Sequence, residues 1–188
     1  MIDLLLEKIP ALKADWDKYS CFFRDVKIGA GTVLLAEGCI AEKMYLIKKG
    51  CLRIWFNNSG KDITLQFFFE GEAVSSIESF LSGIPSAFTI ESIEPSEIVC
   101  VSKSAFQEMI HSVPGFGPFM QEYLVKRLIH YAGLFLSRIR DNPVQRYEDL
   151  IKTNPQIIQR IPQHFIASYL GITPVSLSRI RNRLQKIS

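Results

Sequence analysis

Between Phe22 and Ser102 the chain is cut into short β-rich runs by glycine-containing turns, and this punctuation restricts the fold more than any other feature. The runs are TVLLA, MYLIK, CLRIWF, ITLQFFF, SAFTIESI and EIVCV. Gly29/Gly31, Glu37-Gly38, Lys49-Gly50, Asn57-Asn58-Ser59-Gly60 and Gly71 stand between them. Turn signals recurring at about ten-residue spacing predict an antiparallel barrel, roll or jelly roll.

Helical patterns flank this region. Residues 3–19 place Leu5, Ile9, Leu12, Trp16 and Tyr19 on one helical face, with a break or kink at Pro10. Ser102 is placed to cap a short helix running through His111, and Pro114, Gly115, Gly117 and Pro118 form a hinge-like break. A long helix is then expected over residues 119–140. Met120, Leu124, Leu128 (or Arg127), Tyr131, Phe135 and Ile139 recur on it every three or four residues, and Leu134 and Leu136 widen the stripe. That much apolar surface exceeds what one small roll covers, so the six residues are read as a coiled-coil-like seam with a second copy. The alternative is packing along the protein's own roll. Asn142-Pro143 ends the helix and opens another one carrying Val144, Tyr147, Leu150 and Ile151.

The chain closes on ASYLGITPVSLSRIRNRLQ, residues 167–185. An apolar helical run stops at Gly171, a residue tolerant of positive φ. Thr173 offers a capping hydroxyl and Pro174 suits the first helical position. In the second helix Leu177, Ile180 and Leu184 point one way, while Val175, Arg179, Asn182, Arg183 and Lys186 share another face. Two short helices about a tight glycine turn have the layout of a helix-turn-helix; the alternative is a solvated basic helix.

Charge favours the first reading. The net charge is only +3, but residues 150–188 hold Lys152, Arg160, Arg179, Arg181, Arg183 and Lys186 without a single carboxylate. An acidic body with a basic C-terminal module fits a protein that presents one end to phosphates. A membrane surface fits less well, because the basic helix lacks a broad apolar face, and no run is long enough to span a bilayer. The N-terminus lacks the basic start and clean apolar run of a signal peptide, so the expected location is cytoplasmic. Cys21, Cys39, Cys51 and Cys100 are scattered and read as reduced, mostly buried thiols rather than disulfides or metal ligands. His111, His130 and His164 all fall on predicted helices, so no cupin-like metal set or nucleophile triad is indicated, and neither an enzyme nor a cofactor is expected.

The order of parts, a β-roll, a long helix and a small helical domain, resembles the Crp–Fnr superfamily of bacterial transcription regulators. The resemblance rests on KIGAGTVLLAEGCIAEKMYLIKKGCLRIW, on Gly71-Glu72 after a β run, and on IPQHFIASYLGITPVSLSRIRNRL. It implies an α+β chain with a jelly-roll sensory domain at 1–118, a dimerisation helix at 119–140 and a helix-turn-helix domain at 141–188. It further implies a homodimer on an inverted-repeat operator in double-stranded DNA, RNA polymerase as a further partner, and a small-molecule effector. The effector-pocket candidates on this basis are Gly71, Glu72, Ser86, Ala87, His130 and Tyr131. The DNA-contact candidates are Thr173, Val175, Ser176, Arg179, Arg181, Arg183 and Lys186. Arg179 is assigned a bidentate guanine contact, Ser176 a base or a phosphate, and Val175 a thymine methyl. Arg183 and Lys186 are assigned phosphates, and Arg181 either role or plain solvation.

Two departures qualify this. Cyclic-nucleotide-binding members follow Gly-Glu with an arginine that pairs with the cyclic phosphate, and that position falls here on Ser86. Without the charge-assisted guanidinium contact, cyclic AMP is not the expected effector. Many members also continue into a β-hairpin wing, whereas this sequence ends at Ser188, so the module is expected without one. The competing reading is a ligand-binding or protein-interaction module whose C-terminal helices are structural.

Overall fold

The structure, a computed structural model, describes residues 2–185. Three short helices open it, α1 (Ile2–Lys8), α2 (Pro10–Ala14) and α3 (Trp16–Tyr19), with Pro10 starting the second helix rather than kinking a single one. Eight strands follow: β1 (Arg24–Ile28), β2 (Val33–Leu35), β3 (Lys43–Lys49), β4 (Leu52–Asn58), β5 (Lys61–Phe68), β6 (Ala73–Val74), β7 (Thr89–Ser92) and β8 (Ser96–Ser102). Helix α4 (Ile77–Ser82) sits between β6 and β7. The strands form two four-stranded sheets, ordered β1-β8-β3-β6 and β2-β7-β4-β5. The pairings of β8 with β1 and β3, of β3 with β6, and of β2 with β7 are antiparallel. Six of the strands lie on the runs legible in sequence. β1 and β6 do not, because RDVKI holds three charges in five residues and presents no apolar β-rich run, and β6 spans only two residues.

Gly50 is required by its surroundings. Its φ is +105°, and a Cβ there would lie 2.8 Å from the Ser96 backbone Cα. This close approach lets the β3–β4 turn pass over the start of β8.

Helix α5 (Lys103–Ser112) begins where expected, with the Ser102 hydroxyl accepting from the Ala105 N–H at 3.1 Å. The long helix α6 runs from Phe116 to Arg140, three residues earlier than its sequence-based start. Gly117 and Pro118 fall in its first turn, where backbone N–H groups have no intrahelical acceptor and proline is tolerated. Four further helices follow among the described residues: α7 (Pro143–Thr153), α8 (Pro155–Arg160), α9 (Gln163–Tyr169) and α10 (Pro174–Gln185). Asn142 and Gln145 form a reciprocal capping box at the start of α7.

Backbone contacts divide the chain into two compact units. The first comprises residues 1–54 and 68–127, with a core of Met44, Leu46, Phe80, Ile98, Val99, Phe106, Met109 and Phe116. The second comprises residues 55–67 and 128–188, built on Tyr147, Leu150, Ile157, Ile161, Ile166, Leu170 and Leu177. The outer part of the β4–β5 hairpin therefore belongs with the C-terminal helices. The Ser168 hydroxyl donates to the Asp62 carbonyl at 2.7 Å and accepts from the Thr64 N–H at 2.9 Å, which ties this hairpin to α9.

Two expectations are corrected. Met120 is not on an open seam: it is buried in the first unit among Leu5, Phe23, Met44, Leu46 and Phe106, because the first turns of α6 pack onto α5 and the sheet. The cysteines are not mostly buried either. Cys51 is buried and Cys100 half-buried, but Cys21 and Cys39 are exposed, one in the turn before β1 and one in the loop after β2.

Candidate nucleic-acid interface and effector site

Helices α9 and α10 meet through a turn that the sequence specifies closely. Gly171 adopts φ +69°, its N–H donates to the Ser168 carbonyl at 3.0 Å, and the Ile172 N–H donates to the Ala167 carbonyl at 3.0 Å. This is the doubly hydrogen-bonded Schellman ending, which needs a left-handed residue at the glycine position. Thr173 Oγ1 then accepts from the Ser176 N–H at 3.1 Å and lies 3.0 Å from Ser176 Oγ. Within α10, Leu177 is fully buried, and Ile180 and Leu184 are half-buried.

On the other side of α10, Thr173, Val175, Arg179, Asn182 and Arg183 are exposed, while Ser176 and Arg181 are partly covered. Arg179 and Arg183 line one groove with Val144 and Glu148 of α7. Arg181 lies close enough to Tyr147 to oppose the rise that burial imposes on the tyrosine pKa. None of the three arginines has an ion pair among the described residues. Lys186 lies outside the described residues.

Arg146 is a positioning residue that sequence reasoning did not single out. From α7 its guanidinium donates to the Leu170 carbonyl at 2.9 Å and the Asp141 carbonyl at 2.7 Å. It satisfies an orphan carbonyl at the end of α9 and fixes α9 to α7. Ser168 was missed for the same reason: nothing in a local pattern shows which distant backbone group a side chain will meet.

The effector candidates are divided between the two units. Gly71 makes the turn after β5 with φ +85°. Both carboxylate oxygens of Glu72 are engaged: Oε2 accepts from the Phe69 N–H at 2.8 Å and Oε1 from Arg127 Nη1 at 3.1 Å. The same Arg127 guanidinium stacks over the Phe68 ring, 4.8 Å from its centroid. Ser86 is buried, donates to the Phe88 carbonyl at 2.7 Å and lies 3.0 Å from Ser76 Oγ, whereas Ala87 is exposed. The buried Arg53 is committed to Glu91 at 2.9 Å. His130 and Tyr131 belong to the second unit, where His130 Nε2 lies 3.4 Å from Gln66 Nε2.

Along α6 the remaining seam candidates are largely uncovered. Leu128, Phe135 and Ile139 are 67, 65 and 69% exposed, Tyr131 is also exposed, and Leu124 is half-buried. Val125, Leu128, Ala132, Phe135 and Ile139 follow one another at alternating steps of three and four. Exposed Ile129 and Leu136 flank this row; sequence reasoning singled out Leu136 but not Val125, Ile129 or Ala132. Among the described residues no helix is long and apolar enough to cross a membrane, and no group of three or more His, Cys, Asp or Glu is arranged to hold a metal ion.

Residues 25–113 match the cyclic nucleotide-binding domain family. Over most of its length the chain shares its fold with solved Crp–Fnr regulators. The c-di-GMP-responsive global regulator CLP of Xanthomonas campestris superposes with a TM-score of 0.72 at 16% identity, covering 93% of this chain and 92% of that one. FixK2 of Bradyrhizobium japonicum gives 0.75 at 17% identity over 87% and 85%. A chain from Eubacterium rectale assigned to the crp/fnr family of transcriptional regulators gives 0.74 at 17% over 92% and 82%. Neuropathy target esterase sws of Drosophila persimilis is 26% identical over 125 residues, which are 63% of this chain but 8% of that much longer protein.

Proposed function

We propose that this protein is a homodimeric, sequence-specific DNA-binding transcription regulator in which α9 and α10 form a helix-turn-helix and the β-roll is an effector domain that does not take cyclic AMP. The working division is a sensory roll at 1–118, a dimerisation helix at 119–140 and a DNA-binding domain at 141–188. The observation that carries the reading is the outward face of α10, which bears unpaired arginines and no acid, on a helix held by a Schellman turn and a threonine cap. A buried Leu177 fixes which face turns outward, and Arg179 then lies in the first turns, where side chains reach base edges. Val175 is placed for a thymine methyl, and Arg183 further along for phosphate.

Two features weigh against a cyclic nucleotide. Neutral Ser86 offers no charge to a buried phosphate, and Glu72, the candidate partner for a ribose hydroxyl, is already engaged by Arg127. Selection of bound sequences from a random DNA pool tests the function. An inverted repeat with half-sites about 34 Å apart, one helical turn, is the expected product, with binding that falls steeply as salt rises. Enrichment of no sequence, together with salt-independent behaviour, would replace this reading with a module whose C-terminal helices are structural.

A further inference from the structure

We propose that the roll carries a small-molecule site at the open seam between its two edge strands β1 and β2, built to hold an amphipathic carboxylate with a hydrocarbon body. None of the effector candidates lines it, so the proposal goes beyond the regulator reading and does not depend on it.

The seam follows from the topology. β1 is an edge of one sheet and β2 an edge of the other, and a groove of about 870 Å³ opens between them. That size falls in the usual range for small-molecule sites. Strand register decides what faces it. Arg24 pairs with Cys100, which pairs with Tyr45. One step of two residues deeper, Val26 faces Ile98, and one step towards the rim Lys43 faces Ser102. All of these residues line the groove, with Val33 and Leu34 opposite.

The wall is apolar where it is deep. The Tyr45 hydroxyl is consumed by donating to the Leu34 carbonyl at 2.8 Å, so the ring offers a guest only its apolar body. Burial keeps the Cys100 thiol above its ordinary pKa, although Lys43 and Arg24 are near enough to pull it down. At the rim the chemistry changes. Arg24 and Lys43 flank the β8 strand, and neither has an ion pair among the described residues, in contrast to the neighbouring Asp25, which is taken by Lys48 at 2.8 Å. Against these two cations the groove sets one carboxylate, Glu108 of α5. A guest that fits must fill an apolar trough and end in a negative charge at the rim, which is the description of an acyl or aryl carboxylate.

Dodecanoate, dodecanol and dodecylamine, each below its aggregation concentration, form the test set. The full chain carries Cys39→Ser and keeps Cys21, which lines the groove; alkylation of Cys100 is followed separately from that of Cys21 by peptide mass mapping, while Cys51 stays buried. Dodecanoate is expected to slow alkylation of Cys100 and to bind roughly tenfold more tightly than the alcohol, with the amine weaker than both. Adding Arg24→Gln and Lys43→Gln, two exposed positions, is expected to bring the acid down to the level of the alcohol. Equal binding of all three compounds, an acid preference that survives the double substitution, or no protection of Cys100 would each overturn the proposal.

Discussion

The two ends of α6 carry the same kind of sequence and meet opposite fates. In the first unit Phe116 and Met120 are buried, Lys126 pairs with Glu122, and Arg127 pairs with Glu72. In the second unit Leu128, Ile129, Phe135, Leu136 and Ile139 stand in the open, and the arginines of α10 have no acidic partners among the described residues. The first region covers Phe116 and Met120 within its own core and pairs the charges of Lys126 and Arg127. The second leaves one apolar surface and one basic surface unspent, and those are the two surfaces a dimeric DNA reader needs. Apolar periodicity reports that a face will be covered and is silent about what covers it.

Substitutions at the two ends of α6 sharpen the contrast most. Met120→Ala removes a side chain from a filled core and is expected to cost about 2–5 kcal/mol of unfolding free energy in urea, independent of protein concentration. Leu128→Ala is expected to change that intrinsic stability far less and to act through protein concentration instead. If the two substitutions behave alike, the distinction between the ends of the helix fails.

On the basic surface, Arg179→Ala is expected to cost roughly 1–3 kcal/mol per half-site and to relax preference at one base pair of the selected DNA. Arg183→Ala should weaken all sequences alike and lower the salt slope by about one. Titrations of selected and scrambled duplexes at several salt concentrations separate these outcomes. Loss of neither affinity nor preference in Arg179→Ala would make that arginine a solvated charge.

Within the first unit, burial pushes the Tyr45 pKa from 10 up to about 12. The unfolded tyrosine ionises first, so between those values the unfolded state binds fewer protons and stability falls as pH rises. Tyr45→Phe is expected to cost about 1 kcal/mol near neutral pH through the lost bond to Leu34, and to flatten the decline between pH 10 and 12. Denaturant titrations across that range check it. The smallest effect concerns Glu72 and Ser86: a hundredfold excess of cyclic AMP over a micromolar Kd would add about 2.7 kcal/mol, and essentially no change in melting temperature is expected.

The sequence was most legible where a local rule decided the outcome. The glycine-separated runs became strands, Ser102 capped α5, Asn142 and Pro143 opened α7, and Gly171 took a positive φ. It was least legible where a residue's role depends on a distant partner. The Arg127 bridge to Glu72 links positions 55 residues apart, the Ser168 bond to Asp62 spans 106, and neither leaves a periodic trace. Met120 was misplaced for a related reason, since it shares a heptad-like spacing with Leu124 and Leu128 but lies where α6 crosses the core of the first unit. Helix α8 escaped notice because Pro155 and Pro162 bracket only a six-residue helix, too short to show a period.

The proposed seam between two copies is tested most directly by the molar mass in solution. Light scattering at micromolar concentration should give twice the 21.4 kDa of one chain for the wild type, and a single chain for Leu128→Glu, which sets a charge on the exposed row of α6. A wild-type mass of one chain, unchanged by that substitution, would contradict the account.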